Sequence, residues 1–466
     1  MPKHIHFIGI CGIAMGSLAL AFKRAGYHVT GSDVGFYPPM STHLKNEGVE
    51  YYPGWHVEKM IANGTPDFII VGNVASSTNP EWLYTQKNHL SYFSYPEAVA
   101  EFFIKPNSIV CAGTYGKTTT SALLSFILTE NNLNPSYMFG GLAVNNFPSA
   151  QITTGKWSVM EGDEYKAGRN DNRAKFFFYR PTHLLLTAVK WDHADIYPTE
   201  ESYLTAFKKL TELIPPSGLM VISENVSDNL IANKNTRIIR YGQGKNNDYI
   251  YQEINQTKNG INFIITHQGK NYKINCPVIG EYNAENICGA FALACEIGIE
   301  PEKIIASIAK FPGLKRRLEK RGTINGADVF DDIAHSPIKA QSVLENLRKI
   351  YTGKIFAIFE PNTGNRQIEA IPQYDYAFSL ADQVIIPKLT KIKINLAAKK
   401  LPLEGEQLKD IIAKTQPNTK YIPDDNELVN YLKQNTTTND VVVFLGSHGF
   451  RGMIEAIISP HPQSLL

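Results

Sequence analysis

The sequence predicts three α/β domains built on parallel, doubly wound sheets, and three observations carry that expectation. A chain of 466 residues is too long for one ordinary hydrophobic core and implies two to four domains. Three stretches repeat one theme: a short β-rich apolar run, a glycine-containing turn, then a helical pattern. Strands that alternate with helices in this way pair in parallel, because a crossover helix returns the chain to the same end of the sheet.

In the first stretch, residues 1–104, HIHFIGI reads as a strand, followed by a helix from about Met15 to Ala25, then YHVTGSD and DFIIVGN as further strands. In the second, 105–313, SIVCAGT is the opening strand, TTSALLSFILTE a helix and THLLLTAV a buried strand. Between 245 and 278, YIYQEINQT and GINFIITHQG alternate polar with apolar residues, as a hairpin or meander does. The Ala-rich NAENICGAFALACEIG then reads as a helix. In the third, 314–466, the strands are ADVFDDIAH, KIFAIFEP, ADQVIIP and DVVVFLGS, with helices between them.

Composition removes several classes of function. Hydrophobic residues make up 43% and charged residues 19%, the balance of a globular protein. Lys and Arg number 46 against 44 Asp and Glu, so no broad basic field exists to hold a nucleic-acid backbone. The five cysteines, Cys11, Cys111, Cys276, Cys288 and Cys295, are odd in number and form no CxxC pair, which argues against a disulfide scaffold and a zinc knuckle. No apolar stretch reaches the roughly 18 residues of a membrane span, and HIHFIGI is too short for a signal core, so a cytoplasmic protein without a membrane partner is expected.

The segment AGTYGKTTTS (112–121) carries the strongest chemical signal. A strand feeds a tight Gly113–Gly116 turn that opens directly into a helix, so backbone N–H groups and the helix dipole face whatever sits above the turn. From there Lys117 can reach β/γ-phosphate oxygens and the Thr118 hydroxyl can ligate Mg²⁺. The full GxxxxGK[ST] pattern would need a glycine at Cys111, so the loop departs from the standard form. HFIGICGIAMGSLA likewise reads strand, glycine turn, helix, a pattern suited to a diphosphate, with Asp33 some twenty residues on as a ribose acid. The spacing Gly9, Cys11, Gly12, Gly16 is not GxGxxG, which disfavours a nicotinamide dinucleotide and an oxidoreductase. MEGDEY (160–165) places three carboxylates at a strand end and WDHADIY (191–197) a histidine after another; either alone is as readily a solvated surface.

GTYGKTTT resembles the ATP loop of the Mur ligase family, with Tyr115 in the variable place, and the resemblance extends along nearly the whole chain. It implies a Rossmann-like UDP-binding domain, a central P-loop ATPase-type domain with a parallel sheet plus a small β-sheet, and a C-terminal Rossmann-like domain that binds the amino substrate. The activity implied is ATP-dependent amide formation on UDP-N-acetylmuramate, through an acyl phosphate, with Mg²⁺ as cofactor. ATP would be held by Gly113, Thr114, Gly116, Lys117, Thr118 and Thr119, with Asn283 and Asn286 near the base. For Asn283, capping of the following helix is an equal alternative. Glu161 and His193 are carried over as ligands of a second metal, Thr118 serving the first; Asp163 and Glu164 are close alternates to Glu161, since spacing cannot rank three carboxylates within four residues. The nucleotide sugar would lie against Gly9, Cys11, Gly12, Met15, Ser32, Asp33 and Asn73.

In KRRLEKR (315–321), Arg317 is the candidate clamp on the γ-phosphate. In FDDIAHSP (330–337), Asp332 would contact the ribose or its metal shell and His335 the incoming amine or the acyl phosphate. The run EGDEYKAGRNDNRAKFFFYRP favours the branch of the family whose acceptor is a muropeptide-derived peptide, L-alanyl-γ-D-glutamyl-meso-diaminopimelate, over the branch that adds L-alanine. Ala188, Lys190, Lys166, Ser336 and Asn362 depart from the family pattern, and the first two motivate a third reading, a nucleotide-sugar-binding paralogue without catalysis. A monomer or weak homo-oligomer is expected.

Overall fold

A computed structural model describes residues 2–168, 171–193, 196–232, 235–390 and 402–458. The chain forms two compact units: residues 1–254, 262–276 and 282–312 make the first, and 255–261, 277–281 and 313–466 the second.

The first unit holds two sheets. The N-terminal one has five parallel strands in the order Glu50–Pro53, His28–Asp33, His4–Ile8, Phe68–Val71, Tyr92–Ser94. The chain leaves the central strand in one direction and returns on its other side, so a crevice opens between the carboxyl ends of His4–Ile8 and Phe68–Val71, where open α/β sheets bind ligands. The helix after the first strand runs Ile13–Arg24 and buries Leu18, Ala19 and Phe22 against the sheet. Phe22 meets Phe102 edge to face, with ring centroids 4.9 Å apart. Beneath the crevice lies a polar network that its sequence separations conceal. Glu81, fully buried, accepts from Ser32 Oγ (2.5 Å), Tyr52 OH (2.7 Å) and His56 N (2.7 Å).

The second sheet runs Lys270–Cys276, Gly260–His267, Tyr249–Thr257, Arg237–Gly242, Leu219–Ser223, His183–Leu186, Asn107–Ala112, Trp157–Gly162, Ser136–Met138, Ala150–Gln151. Its middle is parallel and its strands are continuous apolar runs, such as the HLLL of His183–Leu186, because both faces are covered by helices. The expected small β-sheet is the meander Tyr249–Thr257, Gly260–His267, Lys270–Cys276, which continues this one. Tyr241 and Gly242 pair in parallel with Tyr249 and Ile250, which fuses the meander to the parallel strands. The hairpin tip, 255–261, is counted with the second unit.

The second unit is built on six strands in the order Glu319–Ile324, Ala327–Asp332, Val441–Gly446, Ile355–Glu360, Gln383–Pro387, Thr419–Ile422. All pair in parallel except the edge strand Glu319–Ile324, which folds back on Ala327–Asp332 as a hairpin. Among the described residues no helix is long and apolar enough to cross a membrane.

Candidate functional site

The lysine-bearing loop forms as its glycines demand. Gly113 has φ +136°, and a Cβ there would lie 2.3 Å from Thr187 Oγ1 and 2.7 Å from Ala188 O. Gly116 takes φ +81° as N-cap of the helix Lys117–Glu130. A Cβ on it would meet Asn286 Oδ1 at 2.2 Å, so the helix bearing Asn286 packs directly on the loop. Asn286 donates to Asn283 Oδ1 (3.2 Å), and both are buried. That helix begins at Tyr282, which places Asn283 inside its first turn instead of at the cap position.

The departures at 188 and 190 have a physical account, because the loop uses those positions through their main chain. Thr114 N donates to Ala188 O (2.6 Å), Thr114 Oγ1 donates to Lys190 O (2.7 Å), and Lys190 N donates back to Thr114 Oγ1 (2.9 Å). Tyr203 OH lies 2.9 Å from the same hydroxyl oxygen. Thr187 Oγ1 donates to Tyr115 O.

The three carboxylates that spacing could not rank take three different partners. Glu161, at the end of Trp157–Gly162, accepts from Thr118 Oγ1 (2.8 Å) and from Gly140 N (2.6 Å). Asp163 accepts from Lys175 Nζ (2.6 Å) and Tyr165 N (2.9 Å). Burial would raise its carboxyl, but the charge and hydrogen bond of Lys175 outweigh that and hold it below the usual carboxylate range. Glu164, almost wholly buried, lies 3.0 Å from Lys117 Nζ and 3.4 Å from His193 Nε2. The bond to Glu164 raises His193 above its ordinary value. The structure therefore groups Lys117, Glu164 and His193 on one side and Thr118 with Glu161 on the other. Ala194 and Asp195, in the same motif as His193, lie outside the described residues.

A cavity of about 290 Å³ joins the two halves of the first unit. One end is formed by the glycine turn and its neighbours, Gly9, Gly12, Met15, Asp33 and Asn73; the other includes Gly140, Glu161 and Lys175. Asp33 holds the turn by accepting from Cys11 N (2.7 Å). A Cβ on Gly9, which has φ +91°, would strike Val74 Cγ2 at 2.5 Å, so glycine keeps the crevice open. Ser32 acts from beneath: its hydroxyl is committed to Glu81, while its carbonyl accepts from Gly9 N (2.8 Å) and Ile10 N (3.0 Å). Tyr95, Tyr179 and Lys175 line the cavity and were not singled out from sequence. Burial raises the phenols of Tyr95 and Tyr179 well above their ordinary value.

Among the described residues no three His, Cys, Asp or Glu side chains stand close enough to hold a metal ion by themselves. The Thr118 hydroxyl and Glu161 carboxylate nonetheless present adjacent hard oxygens at the helix N-terminus. Mg²⁺ is commonly held by one or two such protein oxygens together with nucleotide phosphates, so these residues fit a phosphate-borne Mg²⁺.

In the second unit, Asp332 accepts from Leu318 N (2.7 Å) and Ala334 N (2.8 Å). Burial pushes its carboxyl up to about 6, against these two bonds and the charge of Arg317. It is Arg316 that ties the basic segment down, donating to Ser447 O (3.0 Å) and His448 O (3.0 Å) and pairing with Asp331 (3.3 Å). His335 Nδ1 bonds Ile333 O (2.7 Å). Ser336 caps the helix Pro337–Ile350, its hydroxyl accepting from Lys339 N (3.4 Å). Asn362 Oδ1 accepts from Asn365 N (3.1 Å) in a side-chain turn.

Three family models match in chain order: the Mur ligase family catalytic domain over 4–105, the Mur ligase middle domain over 111–294, and the Mur ligase glutamate ligase domain over 316–448. The UDP-N-acetylmuramate–L-alanyl-gamma-D-glutamyl-meso-2,6-diaminoheptandioate ligase of Haemophilus influenzae is 34% identical over 374 residues, 78% of this chain and 81% of that protein. The UDP-N-acetylmuramate–L-alanine ligase of Desulfitobacterium hafniense is 28% identical over 454 residues, 96% of this chain and 97% of that one. The crystal structure of a murein peptide ligase from Psychrobacter arcticus superposes with a TM-score of 0.70 at 27% identity, covering 98% of both chains.

Proposed function

Because the chain belongs to the Mur ligase family, we propose that it is an ATP-dependent ligase that joins UDP-N-acetylmuramate to L-alanyl-γ-D-glutamyl-meso-diaminopimelate, a peptide of the kind released in cell-wall turnover. The observation that carries this reading is the single cavity lined by both the Gly9–Gly12 turn and Glu161, whose carboxylate is bonded to Thr118 of the phosphate loop. A molecule with a diphosphate at one end and a carboxylate at the other fits that arrangement. The work would divide near residues 104 and 313, with the nucleotide sugar on the first part and ATP on the second.

A carboxylate is inert to amines because oxide is a poor leaving group. Attack of one carboxylate oxygen on the γ-phosphorus of ATP, with cleavage of the bridging P–O bond, releases ADP and leaves an acyl phosphate. The amine then attacks the acyl carbon and phosphate departs. Lys117 neutralises the transferring phosphoryl group at the helix N-terminus, and the buried Glu164 holds that lysine in place meanwhile. Mg²⁺ held by Thr118 and Glu161 would neutralise further phosphate charge. Arg317 and His335 are the candidates from residues 314–466 for the γ-phosphate and the amine.

A second reading, addition of free L-alanine, is supported by the match to the Desulfitobacterium hafniense enzyme over 96% of this chain. Phosphate release with UDP-N-acetylmuramate, ATP and a panel of amines separates the readings. Release with the tripeptide supports the first, and release with L-alanine alone supports the second. Binding of ATP and nucleotide sugar with no release for any amine refutes both and leaves a binding paralogue.

A further inference from the structure

The cavity presents its charges unevenly. Its walls carry the carboxylates of Asp33, Glu161 and Asp163, and among the lining residues the one cation is Lys175. Lys175 is fixed before any ligand arrives. Its N–H donates to Tyr165 O (3.2 Å), and the short helical turn Lys175–Phe178 starts at this residue. Its ammonium bonds Asp163 Oδ2 at 2.6 Å, while Oδ1 of the same carboxylate accepts from Tyr165 N. The Lys175 side chain is only 15% exposed. The Asp163 side chain is 37% exposed, and a partly exposed Lys–Asp pair is a weak source of stability, because solvent screening, desolvation and side-chain entropy offset most of the attraction. An ammonium also has three N–H donors, and among the described residues Asp163 is its one hydrogen-bond acceptor.

We propose that Lys175 binds and positions the carboxylate of the sugar acid, its tether Asp163 holding the ammonium at the Glu161 end of the cavity. The proposal rests on the reading that a nucleotide-linked sugar acid occupies this cavity. The ligand's two anionic ends meet different devices: at the diphosphate end the N-terminus of the helix Ile13–Arg24, since the N–H groups of Gly9, Ile10 and Cys11 are already committed to Ser32 and Asp33, and at the carboxylate end a tethered ammonium. With one carboxylate oxygen held by Lys175, the other is left as the nucleophile. That oxygen forms the new bond to the γ-phosphorus, the bridging P–O bond breaks, and no proton leaves Lys175. The lysine thus screens the repulsion between two anions that must come into contact.

Calorimetric titration of the full chain with UDP-N-acetylmuramate, and with UDP-N-acetylglucosamine, which lacks the carboxylate, tests this. The wild type should prefer the acid. Lys175→Met should weaken the acid by about tenfold or more, the loss of a charge-assisted hydrogen bond, with the neutral sugar unchanged; Lys175→Arg should recover part of the loss. Affinity for the neutral sugar also reports that the variant is folded. Should Lys175→Met fail that control, Asp163→Asn, which frees the ammonium from its tether, should show the same selective loss to a smaller degree. Parallel weakening of both sugars in the folded variants, or an acid preference that survives them, overturns the assignment of Lys175 alone. A wild type that binds neither sugar overturns the ligase reading beneath it.

Discussion

Thr114→Val keeps the shape of the side chain and deletes one oxygen. That oxygen is the junction of the phosphate loop. It gives its single proton to Lys190 O and accepts from Lys190 N, so Tyr203 OH, 2.9 Å away, must act as a second donor to it. Thr114 is 8% exposed and Tyr203 fully buried, so water can replace few of these bonds. A buried polar group that loses its partner costs about 1–3 kcal/mol. Three groups are affected, two of them on the exposed residue Lys190, where solvent recovers part of the loss. The expected destabilisation is therefore about 2–4 kcal/mol. Urea unfolding followed by tryptophan fluorescence is the assay, with Trp191 beside the junction as a reporter. Tyr203→Phe removes only the second donor and should cost about 1 kcal/mol. In a double-mutant cycle the pair should couple by about 1 kcal/mol. A Thr114→Val midpoint within about 0.5 kcal/mol of the wild type, or strict additivity with Tyr203→Phe, would refute the junction.

Lys117→Ala should abolish ADP production in a coupled assay while titration still shows nucleotide-sugar binding at the Gly9–Gly12 end of the cavity; retained turnover would remove the phosphate-loop assignment. Asp332 has a folded pKa, about 6, above its unfolded value, so the folded chain binds the extra proton between about pH 4 and 6. Its contribution to stability is present in full below that window and is lost as pH rises through about 6. Lowering pH from 7 to 5 should thus stabilise the wild type by about 1 kcal/mol relative to Asp332→Asn, read from urea midpoints of both proteins at both pH values. Lys190→Ala should leave stability within about 0.5 kcal/mol of wild type, because the loop's bonds at that position run through the main chain.

Much of this arrangement was legible in the order of residues. The strand–glycine–helix signature of 107–130 set the loop, since the positive φ values at 113 and 116 strongly favour glycine, and that preference is local. The glycine turn after His4–Ile8 was readable for the same reason. Pairings across long separations were not. Spacing named Glu161, Asp163 and Glu164 as a group but gave no means of assigning Thr118, Lys175 and Lys117 among them, because each partner lies on a different element. His193 was expected to share a metal with Glu161, Glu164 being a close alternate, and its ring meets Glu164. The bond from Ser32 to Glu81 spans 49 positions and leaves no trace in composition. Arg316 and Arg317 are adjacent in an unbroken basic run, and what anchors Arg316 is the backbone of 446–448, more than a hundred residues away.

The grip of Ala188 and Lys190 on Thr114 through peptide groups bears on how such chains diverge. An amide is present whatever residue supplies it, so side chains at these two sites can drift across lineages while the loop stays seated. Substitution at such places leaves the loop's seat intact, whereas loss of the threonine hydroxyl, or of either glycine, would unseat it.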